Sequence, residues 1–217
     1  MAIEAVTPML SGKGLSLRRG REWLFKGLDF AVHPGQTLWL RGANGSGKTS
    51  LLRVATGLTR PEEGAITCRH QPLPAAPGFA QELVYLGHTH ALKDDLTATE
   101  SLEFLADLHG RDGNAQHIAG ALKRLGVHHR RQHTVRTLSQ GQRKRVALAR
   151  LALECRPGIW VLDEPFDALD AEGIDTVNAL ILENLGRGGC VVLTSHIALR
   201  LNERTVCELH LGQASPS

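Results

Sequence analysis

Eight consecutive residues, Gly42-Ala43-Asn44-Gly45-Ser46-Gly47-Lys48-Thr49, restrict what this chain can fold into more than any other stretch. They match the G-x-x-x-x-G-K-[ST] pattern of a phosphate-binding loop. An apolar segment, Thr37-Leu38-Trp39-Leu40, precedes the loop, and a helix-compatible run from Ser50 to Ala55 follows it. Glycines at 42, 45 and 47 let the backbone turn sharply, so that successive N–H groups face an anion. The helix behind the loop presents its positive end to the same anion. Lys48 adds a charge for terminal phosphates, and Thr49 offers a hydroxyl to Mg²⁺. The competing reading is a Gly-rich turn before a helix, with Lys48-Thr49 falling at the required offset by coincidence.

The flanking pattern is α/β. Met9 to Arg18 and Leu24 to Val32 read as two β segments around a polar turn, with Leu28, Phe30 and Val32 alternating as in a half-buried strand. Ala65 to Arg69 is a further short strand. Pro72, Pro74, Pro77 and Gly78 mark a loop, and Glu82 to Leu86 a strand. From about residue 92 to 136 the pattern becomes strandless and mostly helical. Thr97-Ala98-Thr99-Glu100 reads as a capping box opening one helix, and Ala115 to Leu125 as a second, stopped by Gly126. We expect a helical subdomain inserted in the core of a single domain. Ser139-Gln140-Gly141-Gln142 is a second capping box, opening a long helix that Pro157-Gly158 ends. Ile159-Trp160-Val161-Leu162 is a continuous apolar run, the pattern of a parallel strand buried on both faces, and Val191 to Ser195 reads as another buried strand. Asp170 is placed to cap another helix, Thr205 to Leu211 reads as a last strand, and the tail from Ala214 to Ser217 as disordered.

Two further stretches carry chemistry. Asp163-Glu164-Pro165 follows the apolar run at 159–162, and ligands of open α/β sheets sit at the carboxyl ends of parallel strands. Asp163 would hold Mg²⁺, and Glu164 would accept a proton from an attacking water. The alternative is that both acids cap the next helix. Ser139 and Gly141, at a helix N-terminus, form a second anion site.

With these residues in place, the chain resembles an ABC ATPase. Gly42–Thr49, Leu138–Gln142, Ile159–Glu164, Ala168-Leu169-Asp170 and Thr194-Ser195-His196 look in order like its Walker A, signature, Walker B, D-loop and H-loop motifs. The resemblance spans about residues 5 to 212. It implies a P-loop NTPase core with a parallel sheet, an N-terminal antiparallel β subdomain and an inserted helical subdomain. It implies ATP and Mg²⁺ as ligands, with Gly42 to Ser50 around the phosphates. It also implies a homodimer in which Ser139, Gln140, Gly141 and Gln142 reach the nucleotide of the other copy. His196 and Asp170 would act at the γ-phosphate and across the interface.

Three positions depart from the family pattern. Gln140 stands where Gly is commonest in the signature. The residue that stacks on adenine falls near Arg19, with Trp23 as a substitute, unless Arg18, Arg19 and Arg21 only form a solvated turn. The Q-loop glutamine is replaced by His88. Gly87-His88, the following Leu96-Thr97-Ala98-Thr99-Glu100-Ser101-Leu102 and Asp163-Glu164-Pro165-Phe166 resemble the ATP-binding subunits of cytochrome c maturation systems. That likeness implies a CcmB-type integral membrane partner, further cytochrome c maturation proteins and a peripheral position on the cytoplasmic face of the inner membrane. The coupled event would be haem export or the ATP-driven release of a holo-haem chaperone. A different ABC importer or a lipoprotein-releasing complex is the alternative.

Composition narrows the remaining classes. A net charge of +3 is too mild to argue for nucleic acid. A chromosome-organising ATPase would need a long coiled coil between Lys48 and Ser139, and the stretch is too short for one. A P-loop nucleoside kinase would lack the Ser139 signature. The 4 cysteines form no C-x-x-C pair, which suggests buried thiols in a reducing compartment. The N-terminus shows no basic start and apolar run of a signal peptide, and no stretch is long enough to span a membrane. His88 with His90, and His128 with His129, lack an acid or Cys at ligand spacing, so we expect no metal cluster there. Arg143-Lys144-Arg145 reads as a solvated helix face.

Overall fold

The computed structural model describes residues 7–73, 76–89, 91–202 and 205–212. Pro74, His90 and the 214–217 tail lie outside the described residues. In chain order the elements are β1 (Leu10–Arg19), β2 (Glu22–Val32), β3 (Thr37–Arg41), α1 (Lys48–Ala55), β4 (Glu63–Cys68), β5 (Gln71–Pro72), α2 (Phe79–Glu82) and β6 (Leu83–Leu86). There follow α3 (Ala98–Leu108), α4 (Ala115–Arg124), α5 (Gln140–Ala149), β7 (Ile159–Leu162), α6 (Ala171–Gly186), β8 (Cys190–Thr194) and β9 (Val206–His210).

The strands form two sheets. One is antiparallel in the order β2-β1-β4-β5; the other has the order β6-β7-β8-β3-β9 and is parallel throughout. The fold is thus an α/β P-loop NTPase type with a separate antiparallel sheet. The parallel sheet is buried on both faces. Ile159 and Val161 of β7, with Cys190 and Val192 of β8, join a core shared with α1 and the antiparallel sheet. Trp160 and Leu162, with Val191 and Leu193, join a second core shared with α3 to α6. Period-2 alternation sends neighbouring side chains to opposite faces, which is why β7 reads as an unbroken apolar run and β8 as one up to Leu193.

Both capping boxes form. Thr97 Oγ1 accepts from the Glu100 N–H while Glu100 Oε2 accepts from the Thr97 N–H. Ser139 and Gln142 exchange the same pair of bonds. Other expectations need correction. The segment 71–72 is not loop but a short edge strand, because Arg69 (φ 47) and His70 (φ 68) make a tight left-handed turn without glycine or asparagine to announce it. The helix opened by Ser139 does not run unbroken toward Pro157. It tightens to 3₁₀ over Arg150–Leu153, where the buried Arg150 guanidinium is tethered to the Tyr85 carbonyl (3.3 Å) and His109 Nε2 (3.1 Å).

Asn184 staples α6 to the parallel sheet. Fully buried, its amide accepts from Gly158 N (2.9 Å) and donates to the carbonyls of Gly158 (3.1 Å) and Cys190 (3.3 Å). Asn184→Ala leaves the buried Gly158 N–H without its acceptor, a loss of about 1–3 kcal/mol. Chemical denaturation should show it as a lower midpoint at unchanged slope; an unchanged midpoint would contradict the staple.

Candidate functional site

The strand order fixes where the site lies. β6, β7, β8 and β3 are neighbours and parallel, so the loops leaving their carboxyl ends share one edge. These are Gly87-His88 after β6, Asp163-Glu164 after β7, Ser195-His196 after β8 and Gly42–Gly47 after β3. They meet in a cleft of about 720 Å³ lined by Lys48, Thr49, His88, Asp163, Glu164 and His196 among others.

The phosphate loop is shaped by backbone that only glycine adopts easily. Gly42 (φ 147) passes so close to the Leu211 carbonyl that a Cβ would lie 2.6 Å from its oxygen. Gly47 (φ 96) is the left-handed residue at the N-cap of α1. Lys48 Nζ bridges the loop, donating to the carbonyls of Gly42 (2.8 Å) and Ala43 (3.1 Å). Ser46 Oγ is buried and has no partner, which leaves a hydroxyl free inside the loop. Asn44, Gly45 and Ser50 line the same cleft, as does Arg19. Trp23 does not line it; the Arg18 guanidinium, which does, lies 3.8 Å from the Trp23 ring centroid.

The two acids after β7 are held differently. Asp163 is buried, and both carboxylate oxygens are used: Oδ2 accepts from Thr49 Oγ1 (2.9 Å) and Oδ1 from Thr194 Oγ1 (2.8 Å). Glu164 is only partly buried, and its carboxylate faces His196, with Oε2 accepting from the His196 N–H (3.2 Å) and Oε1 3.5 Å from Nε2. Burial holds the Glu164 carboxyl above the usual carboxylate range. The His196 imidazole and N–H pull it down, while the Asp167 and Asp163 charges push it further up. Neither acid caps a helix: α6 is capped by Asp170, whose Oδ1 accepts from the Gly173 N–H (2.8 Å) and from Arg145 (2.6 Å).

The residues Ser139 to Gln142 stand apart from this cleft and line none of it. Ser139 Oγ caps α5, and Gly141 packs against the Ala168 carbonyl, where a Cβ would come within 3.0 Å. The basic run behind it is not the solvated face expected. Arg143 donates to the carbonyls of Leu138 and Arg136, Arg145 to that of Leu125 and to Asp170, and Lys144 to that of Glu164. Burial pulls the Lys144 ammonium below the usual lysine range, against the opposing charges of Asp167, Asp163 and Glu164.

Sequence reasoning missed three of the side chains that shape the site. Thr194 was read only as part of a motif, yet its hydroxyl touches both acids. Trp39 was read only as strand, yet its Nε1–H donates to the Ser195 carbonyl (3.1 Å) and so anchors the backbone next to His196. Lys144 carried a readable signal: with Ala147, Leu148 and Leu151 it falls on one helical face, and the other three are apolar.

Comparison with known proteins gives the following. The profile of the family described as ABC transporter matches residues 25–167. The cytochrome c biogenesis ATP-binding export protein CcmA of Dechloromonas aromatica is 42% identical over 205 residues, covering 94% of this chain and 100% of its own. A solved ATP-binding subunit of an ABC transporter superposes with a TM-score of 0.81 at 25% identity, over 94% of this chain and 88% of its own. A dimeric ATP-binding cassette in a post-hydrolysis state bound to ADP and Pi superposes with a TM-score of 0.77 at 22% identity, over 94% of this chain and 97% of its own.

Proposed function

The chain belongs to the ABC transporter family of ATP-binding proteins, grouping there with the CcmA proteins of cytochrome c biogenesis, and on that footing we propose that it is the ATP-hydrolysing subunit of a complex that matures cytochrome c. The observation that carries this is the shared cleft: an anion-binding loop, a hard-oxygen pair and a carboxylate held against an imidazole, all on one sheet edge.

The loop N–H groups and Lys48 hold the β- and γ-phosphates of ATP. The Thr49 hydroxyl and the Asp163 carboxylate, 2.9 Å apart, are hard oxygen donors of the number and kind that Mg²⁺ takes from protein when phosphates and waters complete its shell. When bound, that ion would neutralise phosphate charge as it develops. Glu164 takes a proton from the attacking water, and the His196 N–H fixes the direction of its carboxylate. Thr194 sets the spacing of the two acids, since one hydroxyl donates to Asp163 and accepts from the Glu164 N–H (2.9 Å). His88 and Arg19 contribute at the γ-phosphate side and the base side of the cleft.

Because Ser139 and Gly141 line none of their own cleft, we assign them to the nucleotide of a second copy in a head-to-tail homodimer. The dimeric cassette with ADP and Pi supports this by its fold. Asp170 lies next to that face. Among the described residues no helix is long and apolar enough to cross a membrane. On the likeness to CcmA proteins, membrane work falls to an integral partner of the CcmB kind, with this subunit peripheral on the cytoplasmic face of the inner membrane. Opening and closing of the dimer would drive haem export or release of a holo-haem chaperone. Co-purification of the full chain from membranes tests the partner: an integral protein unrelated to cytochrome c maturation would overturn the assignment.

The trans arrangement has its own test. Ser139→Arg should lower steady-state phosphate release by about 100-fold, the scale of removing one preorganised donor. Nucleotide affinity of the monomer, read by fluorescent-ATP titration, should stay within about threefold, since no contact in its own cleft changes. Loss of both together would refute it.

A further inference from the structure

Lys144 is 6% exposed. An ammonium buried to that degree is costly unless something takes its charge. Among the described residues it forms no ion pair with a carboxylate; Nζ instead donates to the main-chain carbonyl of Glu164 at 2.7 Å. Glu164 needs holding. Its φ is 46, a left-handed conformation that costs a non-glycine residue about 1–3 kcal/mol and persists only when its surroundings impose it. Glycine would adopt it freely but would bring no carboxylate. On the other side of the same residue, the Glu164 N–H donates to Thr194 Oγ1 at 2.9 Å. The residue is thus gripped at both main-chain ends, by a strand-end hydroxyl and by a buried cation from α5.

We infer that Lys144 is a positioning residue for hydrolysis: by binding the Glu164 carbonyl it holds this residue in its left-handed conformation, and so aims the carboxylate at the water site beside His196. The inference rests on the reading of Glu164 as general base. Lys144 lines none of the cleft, and acts only through the backbone it holds. Its place on α5 gives it a second bearing. Ser139 and Gly141 form the N-terminal end of that helix and Lys144 its second turn, so a shift of the helix at the dimer face reaches Glu164 through one side chain.

The test uses the full chain with substitutions at Lys144 and Glu164. Lys144→Met keeps the length of the side chain and removes its charge and donors. It should lower kcat for ATP hydrolysis by at least roughly tenfold, as misplacement of a catalytic group does, with KM for ATP within about twofold. Lys144→Arg should recover most of that loss. If Lys144→Met fails to fold by circular dichroism, Lys144→Leu, which likewise removes every donor, is measured for the same kcat loss. A parental kcat in the Met variant, or an Arg variant as slow as Met, would overturn the inference. Glu164→Gln run alongside separates the two readings: if it hydrolyses ATP normally, the general-base assignment has failed, whereas an inactive Glu164→Gln beside a fully active Lys144→Met sinks the role of Lys144 alone.

Discussion

Glu164→Gln should abolish hydrolysis while leaving ATP bound. The substitution keeps the size and one acceptor oxygen of the side chain, so the bond from the His196 N–H can survive. What goes is the basic site. General-base catalysis contributes about 10²–10⁴-fold, and steady-state phosphate release should fall by that factor. The loop, Lys48 and the Thr49–Asp163 pair are untouched, so ATP should bind as before. A site that binds without turning over should accumulate the closed homodimer, visible by size-exclusion chromatography in ATP but not in ADP. In the parent protein the same carboxyl leaves a mark on the pH profile. Burial raises it above the usual range, and it must be ionised to act, so the acid limb of kcat should lie at higher pH than an ordinary glutamate would give. Parental turnover in the Gln variant would remove Glu164 from the role of base.

Lys48→Ala should lose ATP at the binding step. The ammonium is the one side-chain cation built into the loop, and its bonds to the Gly42 and Ala43 carbonyls place it across the mouth of the loop. Charge-assisted contacts of this kind are worth about 1.5–3 kcal/mol each, and a phosphate pair offers more than one. A loss of roughly 3 kcal/mol is two decades in Kd. Isothermal titration with ATP and Mg²⁺ should therefore give no measurable heat at concentrations that saturate the parent. The Lys48 side chain is only partly buried, so circular dichroism and the denaturation midpoint should stay close to those of the parent. Binding at parental affinity would show that the loop amides alone hold the phosphates.

The parts of the fold legible in the sequence were those in which local and tertiary forces agree. β7 and β8 read as buried strands because apolar residues follow one another on both faces, with Thr194 alone polar at the site end of β8. Thr97 and Ser139 read as helix starts because a capping box closes within four residues and needs nothing from elsewhere. The turn at Arg69 and His70 and the 3₁₀ stretch from Arg150 were not legible, since each is imposed by partners elsewhere in the chain. The same division holds for the cleft. Gly42 to Thr49 and the Asp163-Glu164 pair announce themselves by residue type and order. That Arg18 rather than Trp23 lines the cleft, and that Thr194 spans both acids, depends on how two sheets and their loops come together.

The two cores also determine how the molecule can open. β7 carries Trp160 and Leu162 into one core and Ile159 and Val161 into the other, and β8 beside it is divided in the same way. Neither strand can detach while either core stays intact. The pair therefore belongs to the last cooperative unit to come apart, the one whose opening free energy equals that of global unfolding. Asp163, Glu164 and Thr194 sit at the ends of this unit. The acids are thus carried at the ends of strands that both cores hold in place.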